Sequence, residues 1–178
     1  GRPQDTRSGE RRRVGVVGVN GGGVSHVGGF GGRKDCEIAA ICDADEGVGQ
    51  ARVAAIETST KKKPAFYKDL RKLLEDKSID LVTIATPNHW HSLAAIWAIQ
   101  AGKDVYVEKP VSHNVWEGRQ LVNAAQKYQR IVQMGVQSRS GAGLAAALEW
   151  LQSAPLGKLQ FARGLCYKRR PSIGKVTA

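Results

Sequence analysis

Short apolar runs alternate with longer segments of helical spacing along most of the chain. Residues 14–19 read Val-Gly-Val-Val-Gly-Val, a valine-rich run without strict alternation. That pattern predicts a parallel strand covered on both faces. Asn20-Gly21-Gly22-Gly23 follows and opens a helix from Val24, weakened by Gly28, Gly29, Gly31 and Gly32. Residues 37–43 predict a second strand. A helix over about 46–57 comes next, broken at Lys61-Lys62-Lys63-Pro64. Ala65-Phe66-Tyr67 reads as a short third strand, and Leu70, Leu73 and Leu74 repeat at helical spacing. Residues 80–85 form the clearest central strand, closed by Thr86-Pro87-Asn88. A long helix then runs to Ala101, where Gly102 supplies a stop. Residues 104–107 predict a strand ended by Glu108-Lys109-Pro110. A helix over about 112–128, a strand over 131–134 and a helix over about 143–152 complete the pattern.

Strands alternating with helices imply crossover units and a doubly wound parallel α/β sheet of the Rossmann kind. Three segments are expected within the 178 residues. Residues 1–12 are polar, contain Pro3 and read as a flexible tail. Residues 13–154 are expected to form the Rossmann domain. After a break at Ala154-Pro155-Leu156-Gly157, residues 155–178 begin a truncated second α+β domain whose first strand is 158–168.

The first chemical motif is Gly18-Val19-Asn20-Gly21-Gly22-Gly23, between a strand and a helix. The dinucleotide fingerprint is G-x-G-x-x-G; Gly18 and Gly23 match its first and third glycines, and Asn20 replaces the second. Asparagine tolerates left-handed geometry better than most residues, and Gly21 beside it adds slack. A pyrophosphate is expected to rest on the following helix N-terminus. Asp43 ends the second strand, 20 residues after Gly23. A carboxylate there accepts bonds from the ribose hydroxyls and repels a 2′-phosphate. No Arg or Lys follows until Arg52. NAD is therefore favoured over NADP. The bland alternative for Asp43 is a cap on the next helix.

Two further segments sit at strand carboxyl ends, where open parallel sheets bind ligands. One is Ala85-Thr86-Pro87-Asn88-His89-Trp90-His91. There Asn88 and His91 are placed to meet the cofactor, beside Thr86 and Pro87. His89 and His91 lie two apart, which does not align them on one helix face, so no metal is expected. Trp90 and Trp97 read as packing residues. The other segment is Glu108-Lys109-Pro110. Its lysine suits proton transfer or orientation of a substrate hydroxyl. Glu108 suits charge balance or the nicotinamide ribose. The plain alternative is a surface ion pair before a helix.

Together with Cys42-Asp43 and Ala101-Gly102-Lys103-Asp104-Val105, these segments resemble the Gfo/Idh/MocA oxidoreductases (glucose-fructose oxidoreductase, inositol dehydrogenase and relatives) over about residues 13–175. The resemblance implies that Asn88, His91 and Glu108 line the cofactor cleft and that Lys109 is the catalytic lysine. It places Gln137 near the nicotinamide end. It also implies hydride transfer between NAD or NADP and a sugar or cyclitol hydroxyl. The family has a second, mainly β domain that supplies most substrate contacts, and this chain stops where that domain starts. NAD binding with little turnover is the expectation that follows.

The net charge of +11 raises nucleic acid or an acidic surface as a partner. The basic runs Arg11-Arg12-Arg13, Lys61-Lys62-Lys63 and Lys168-Arg169-Arg170 are not interleaved with stacking aromatics, so a nucleic-acid binder ranks last. A non-catalytic nucleotide-binding or assembly module ranks second, with a homo-oligomer formed through the terminal strand. No apolar run approaches the about 20 residues of a membrane span. Three cysteines make no disulfide framework, and Cys36 and Cys42 lie too far apart on one strand to bond. A reducing, cytoplasmic setting follows. The chain begins with Gly1, which leaves a lost export signal open.

Overall fold

Six apolar segments pair side by side into one parallel sheet in the computed structural model of the chain. The structure describes residues 11–153, 157–158 and 160–167, in two units, 1–136 and 137–178. The sheet belongs to the first unit. Its strands are β1 (Arg12–Val17), β2 (Cys36–Cys42), β3 (Ala65–Tyr67), β4 (Leu81–Ile84), β5 (Asp104–Val107) and β6 (Val132–Met134). They stand in the order β3-β2-β1-β4-β5-β6, every pair parallel. The connections are α1 (Gly23–Gly31), α2 (Glu46–Thr60), α3 (Leu70–Glu75), α4 (His91–Gln100) and α5 (Val115–Tyr128). The chain leaves β1 toward β2 and β3, then crosses back to β4. That reversal opens a crevice at the carboxyl ends of β1 and β4.

The unbroken valine run is explained by cover on both faces. Val14, Val16 and Ile41 face one apolar cluster with Val53 and Ile56 of α2. Val17, Ala40 and Cys42 face the other, with Val82, Ile84, Ala94, Ala98 and Ile99. Burial of each Val or Ile side chain contributes roughly 1.5–3 kcal/mol. Two basic runs sit at the opposite edge of the sheet. Arg13 Nη1 meets Glu37 Oε1 at 2.6 Å, and Lys62 Nζ meets Glu37 Oε2 at 2.8 Å.

The element ends differ from expectation where side chains act as caps. α5 starts at Val115, because Asn114 is extended and its Oδ1 accepts the Glu117 N–H at 2.9 Å. α2 continues to Thr60, and Lys61 then closes it in a left-handed conformation. α4 is preceded by a 3-10 turn, Asn88–Trp90. The second unit contains a 3-10 turn, Gln137–Ser140, and α6 (Ala142–Ser153). Residues 160–167 are neither helix nor strand among the described residues. The tail 1–10, Ala154-Pro155-Leu156 of the break, residue 159 and residues 168–178, with the Lys168-Arg169-Arg170 run and the last residue of the expected strand, lie outside the described residues. No helix among the described residues is long and apolar enough to cross a membrane.

Cys36 and Cys42 are buried at the two ends of β2, and Cys166 is exposed. Burial, then the charges of Asp43 and Asp69, push the Cys42 thiol up to about 12. The unfolded chain therefore ionises this thiol at lower pH than the folded one, so alkali works against the fold. A thiol reagent at pH 8 is expected to label Cys166 in the native protein, and Cys36 and Cys42 only after denaturation. Mass spectrometry of the labelled peptides checks this.

Candidate functional site

The turn from β1 into α1 is shaped by two glycines. Gly18 has φ of 80°, and a Cβ there would come within 2.9 Å of Ala85 O and Thr86 N. A Cβ on Gly23 would overlap the Gly18 carbonyl oxygen. The left-handed conformation anticipated at Asn20 falls instead at Gly18, and Asn20 is exposed with an ordinary φ. Residue 20 therefore needs no glycine for its own backbone. Gly22 is the N-cap of α1 and brings no side-chain cap. None of the described residues accepts the N–H of Asn20, Gly21 or Gly22. These unpartnered amides at a helix N-terminus, stripped of bulk by glycine, are what an anionic pyrophosphate requires.

Asp43 fixes this turn from the end of β2. Its Oδ2 accepts the Val19 N–H at 2.8 Å, and its Oδ1 accepts the Asp45 N–H at 3.0 Å. The Gly18 N–H also donates to Cys42 O at 2.9 Å. The cap of α2 is Asp45, whose Oδ1 accepts the Val48 N–H at 3.1 Å. Asp43 is thus not spent on capping. Each of its oxygens holds one backbone amide and keeps a lone pair for another donor.

A cavity of about 1120 Å³ opens at this edge of the sheet. Gly18, Asn20, Gly21, Asp43, Thr86 and Pro87 line it. So do residues that sequence reasoning did not assign to the site: Lys68, Asp69 and Arg71 from the β3–α3 turn, and Trp90 and Trp97. The two tryptophans meet edge to face, 6.1 Å between ring centres. Lys68 and Arg71 arrive through sheet pairing: Asp43 N–H donates to Tyr67 O at 3.2 Å, so β3 ends beside Asp43. The nearest cation along the sequence is no guide to that neighbour.

Gly23, Asn88, His91, Glu108 and Lys109 are not in this wall. Asn88 is exposed in the turn before α4. His91 is 1% exposed and lies behind the wall, with Nδ1 2.6 Å from Pro110 O and Nε2 2.8 Å from Thr86 O. It braces the loop after β4 against the loop after β5. Glu108 is half-buried at the end of β5. Its Oε1 lies 3.2 Å from His26 Nε2, and its Oε2 accepts the Lys109 N–H at 3.1 Å. His26, on α1, is 6% exposed, packs edge-on to Tyr106, and its Nδ1 is buried without a partner among the described residues. Burial, then the Glu108 charge, raise the Tyr106 hydroxyl. Lys109 itself is exposed. Only the motif spacing of an ordinary helix surrounds His26 in the sequence, so nothing there marks it. Gln137 opens the second unit.

The family profile described as "Oxidoreductase family, NAD-binding Rossmann fold" (GFO_IDH_MocA) matches residues 12–136. Glycosyl hydrolase family 109 protein 1 of Shewanella sp. (strain MR-4) is 36% identical over 151 residues, 83% of this chain. The chain spans 33% of the length of that curated relative. Among solved structures, GenD2 from gentamicin A biosynthesis in complex with NAD is 26% identical with a TM-score of 0.74, over 85% of this chain and 42% of that one. Myo-inositol 2-dehydrogenase from Lactobacillus plantarum superposes with a TM-score of 0.76 at 19% identity, over 84% of this chain and 43% of that one, a likeness of fold.

The brace at His91 yields a stability prediction. His91→Ala removes both ring contacts and leaves a void and two carbonyls short of a partner. It is expected to lower the unfolding free energy by about 3 kcal/mol. His91→Asn reaches one carbonyl at most and should recover only part of the loss. Equilibrium urea unfolding of the three proteins measures the difference.

Proposed function

The chain belongs to the Gfo/Idh/MocA family of NAD-binding Rossmann oxidoreductases, and from that premise we propose that it holds NAD for hydride exchange with a sugar or cyclitol hydroxyl. One observation carries this reading: three unpartnered amides, 20 to 22, lie in a turn whose Asn20 and Gly21 line a cavity, beside a carboxylate that is already fixed in place. The amides of Asn20, Gly21 and Gly22 would take the pyrophosphate, with the α1 dipole behind them. Asp43 would take a ribose hydroxyl on its remaining lone pairs and repel the 2′-phosphate of NADP. The Trp90–Trp97 pair supplies an apolar face suited to a base.

The nicotinamide, when bound, supplies or accepts the hydride; the protein orients it and tunes its surroundings. In the chain, Glu108 and Lys109 follow β5, on the side of the sheet away from Asp43. There Lys109 is exposed and available to a substrate: its ammonium would give a proton to a carbonyl oxygen being reduced, and its neutral amine would take the proton of a hydroxyl being oxidised. Glu108, held by His26, keeps the Lys109 backbone in register. Thr86, Pro87, Asn88 and His91 shape the loop between these two halves. The sugar or cyclitol substrate rests on the family resemblance and on the names of the glycosyl hydrolase relatives. Its remaining contacts would come from protein beyond this domain.

Calorimetry tests the cofactor assignment. The protein is expected to bind NAD more tightly than NADP. Asp43→Asn, which keeps one acceptor but removes the charge, should weaken NAD by about tenfold, the scale of one charge-assisted hydrogen bond. Equal affinity of the wild type for the two dinucleotides would overturn the role given to Asp43.

A further inference from the structure

The cavity wall that carries Asp43 also carries Asp45 and Asp69, with two cations, Lys68 and Arg71. Neither cation stands alone. The Arg71 guanidinium is forked onto Asp69, Nε to Oδ1 at 3.0 Å and Nη2 to Oδ2 at 2.6 Å. Lys68 Nζ stands 3.9 Å from Glu46 Oε2. The three lining aspartates outnumber the two cations.

Asp69 does more than its local structural task demands. As N-cap of α3 it accepts the Arg71 N–H at 2.9 Å, which uses one oxygen. Asn, Ser or Thr serve that purpose as well as Asp. The fork is largely exposed, 71% for Arg71 and 40% for Asp69, and such pairs add little stability. What the charge of Asp69 changes is the availability of Arg71. A forked guanidinium is the group best suited to a ribose 2′-phosphate, and this one is already filled.

We propose that Asp69 is a second cofactor-specificity residue: it occupies Arg71 and keeps the Asp43 side of the cavity net negative, so that a ribose 2′-phosphate is turned away. The inference rests on the dinucleotide reading above and extends it from β2 to the β3–α3 turn. Removing the Asp69 charge leaves two lining aspartates against two cations, with the guanidinium free to turn toward the phosphate.

The test is the ratio of NADP to NAD affinity of the whole chain, measured by calorimetry. Asp69→Asn keeps the cap and should raise the ratio about tenfold, the scale of one charge-assisted contact. Asp69→Ser, a second capping residue, should do the same should the first variant fold poorly. Adding Arg71→Ala to either should take the gain away. A ratio unchanged in both single variants, or a gain that survives Arg71→Ala, overturns the inference while leaving the dinucleotide reading standing. A wild type that binds neither dinucleotide sinks that reading, and this inference with it.

Discussion

The carboxylate of Asp43 ties two loops together before any ligand arrives. One oxygen holds the Val19 N–H in the turn after β1, and the other holds the Asp45 N–H in the turn after β2. β1 sits between β2 and β4, so its carboxyl end is fixed from both sides, and the Gly18 N–H adds a third tie to Cys42 O. The amides of residues 20–22 are left pointing outward from a rigid base. Such a turn has little ordering entropy to lose on binding an anion. A looser turn would fold its amides onto its own carbonyls and lose the site.

Buried imidazoles extend the same bracing along the sheet edge. His91 joins the loops that follow β4 and β5, and His26 joins α1 to the loop that follows β5 through Glu108. Asp43, His91 and the His26–Glu108 pair therefore link four successive loop regions in a chain of side-chain contacts. Every link but the Asp45 N–H to Asp43 bond is at least partly buried, where hydrogen bonds are stronger than in water. Precision at the site comes from these links rather than from the loops, which are rich in residues with weak conformational preference.

The strands were legible because β1 and β4 are covered on both faces and so read as unbroken apolar runs. The glycine turn after β1 was legible because glycine at 18 and 23 has a steric cause, seen in the contacts a Cβ would make. The start of α5 was misplaced by three residues because Ser112 and Asn114 are both plausible caps, and only the backbone conformation of Asn114 decides. His91 was expected to face the cofactor; its ring turns inward to two carbonyls, a choice fixed by how far the β5 loop approaches. Lys68, Asp69 and Arg71 were not assigned to the site because sequence distance hides the neighbour that sheet pairing supplies. His26 stayed hidden because its partner lies 82 residues away.

The charge balance of the whole chain and that of the cavity point in opposite directions, and the two act at different ranges. A net charge of +11 attracts any dinucleotide, and NADP with its extra phosphate more than NAD. Salt screens that attraction beyond about 8 Å at physiological ionic strength. Discrimination must then come from groups at contact distance, and there the described wall presents Asp43, Asp45 and Asp69 against Lys68 and Arg71. The basic runs that can be placed pair with Glu37 at the far edge of the sheet. They sit with Glu37 at the start of β2, so under the proposed reading the choice between the two dinucleotides falls to the carboxylates of the cavity wall.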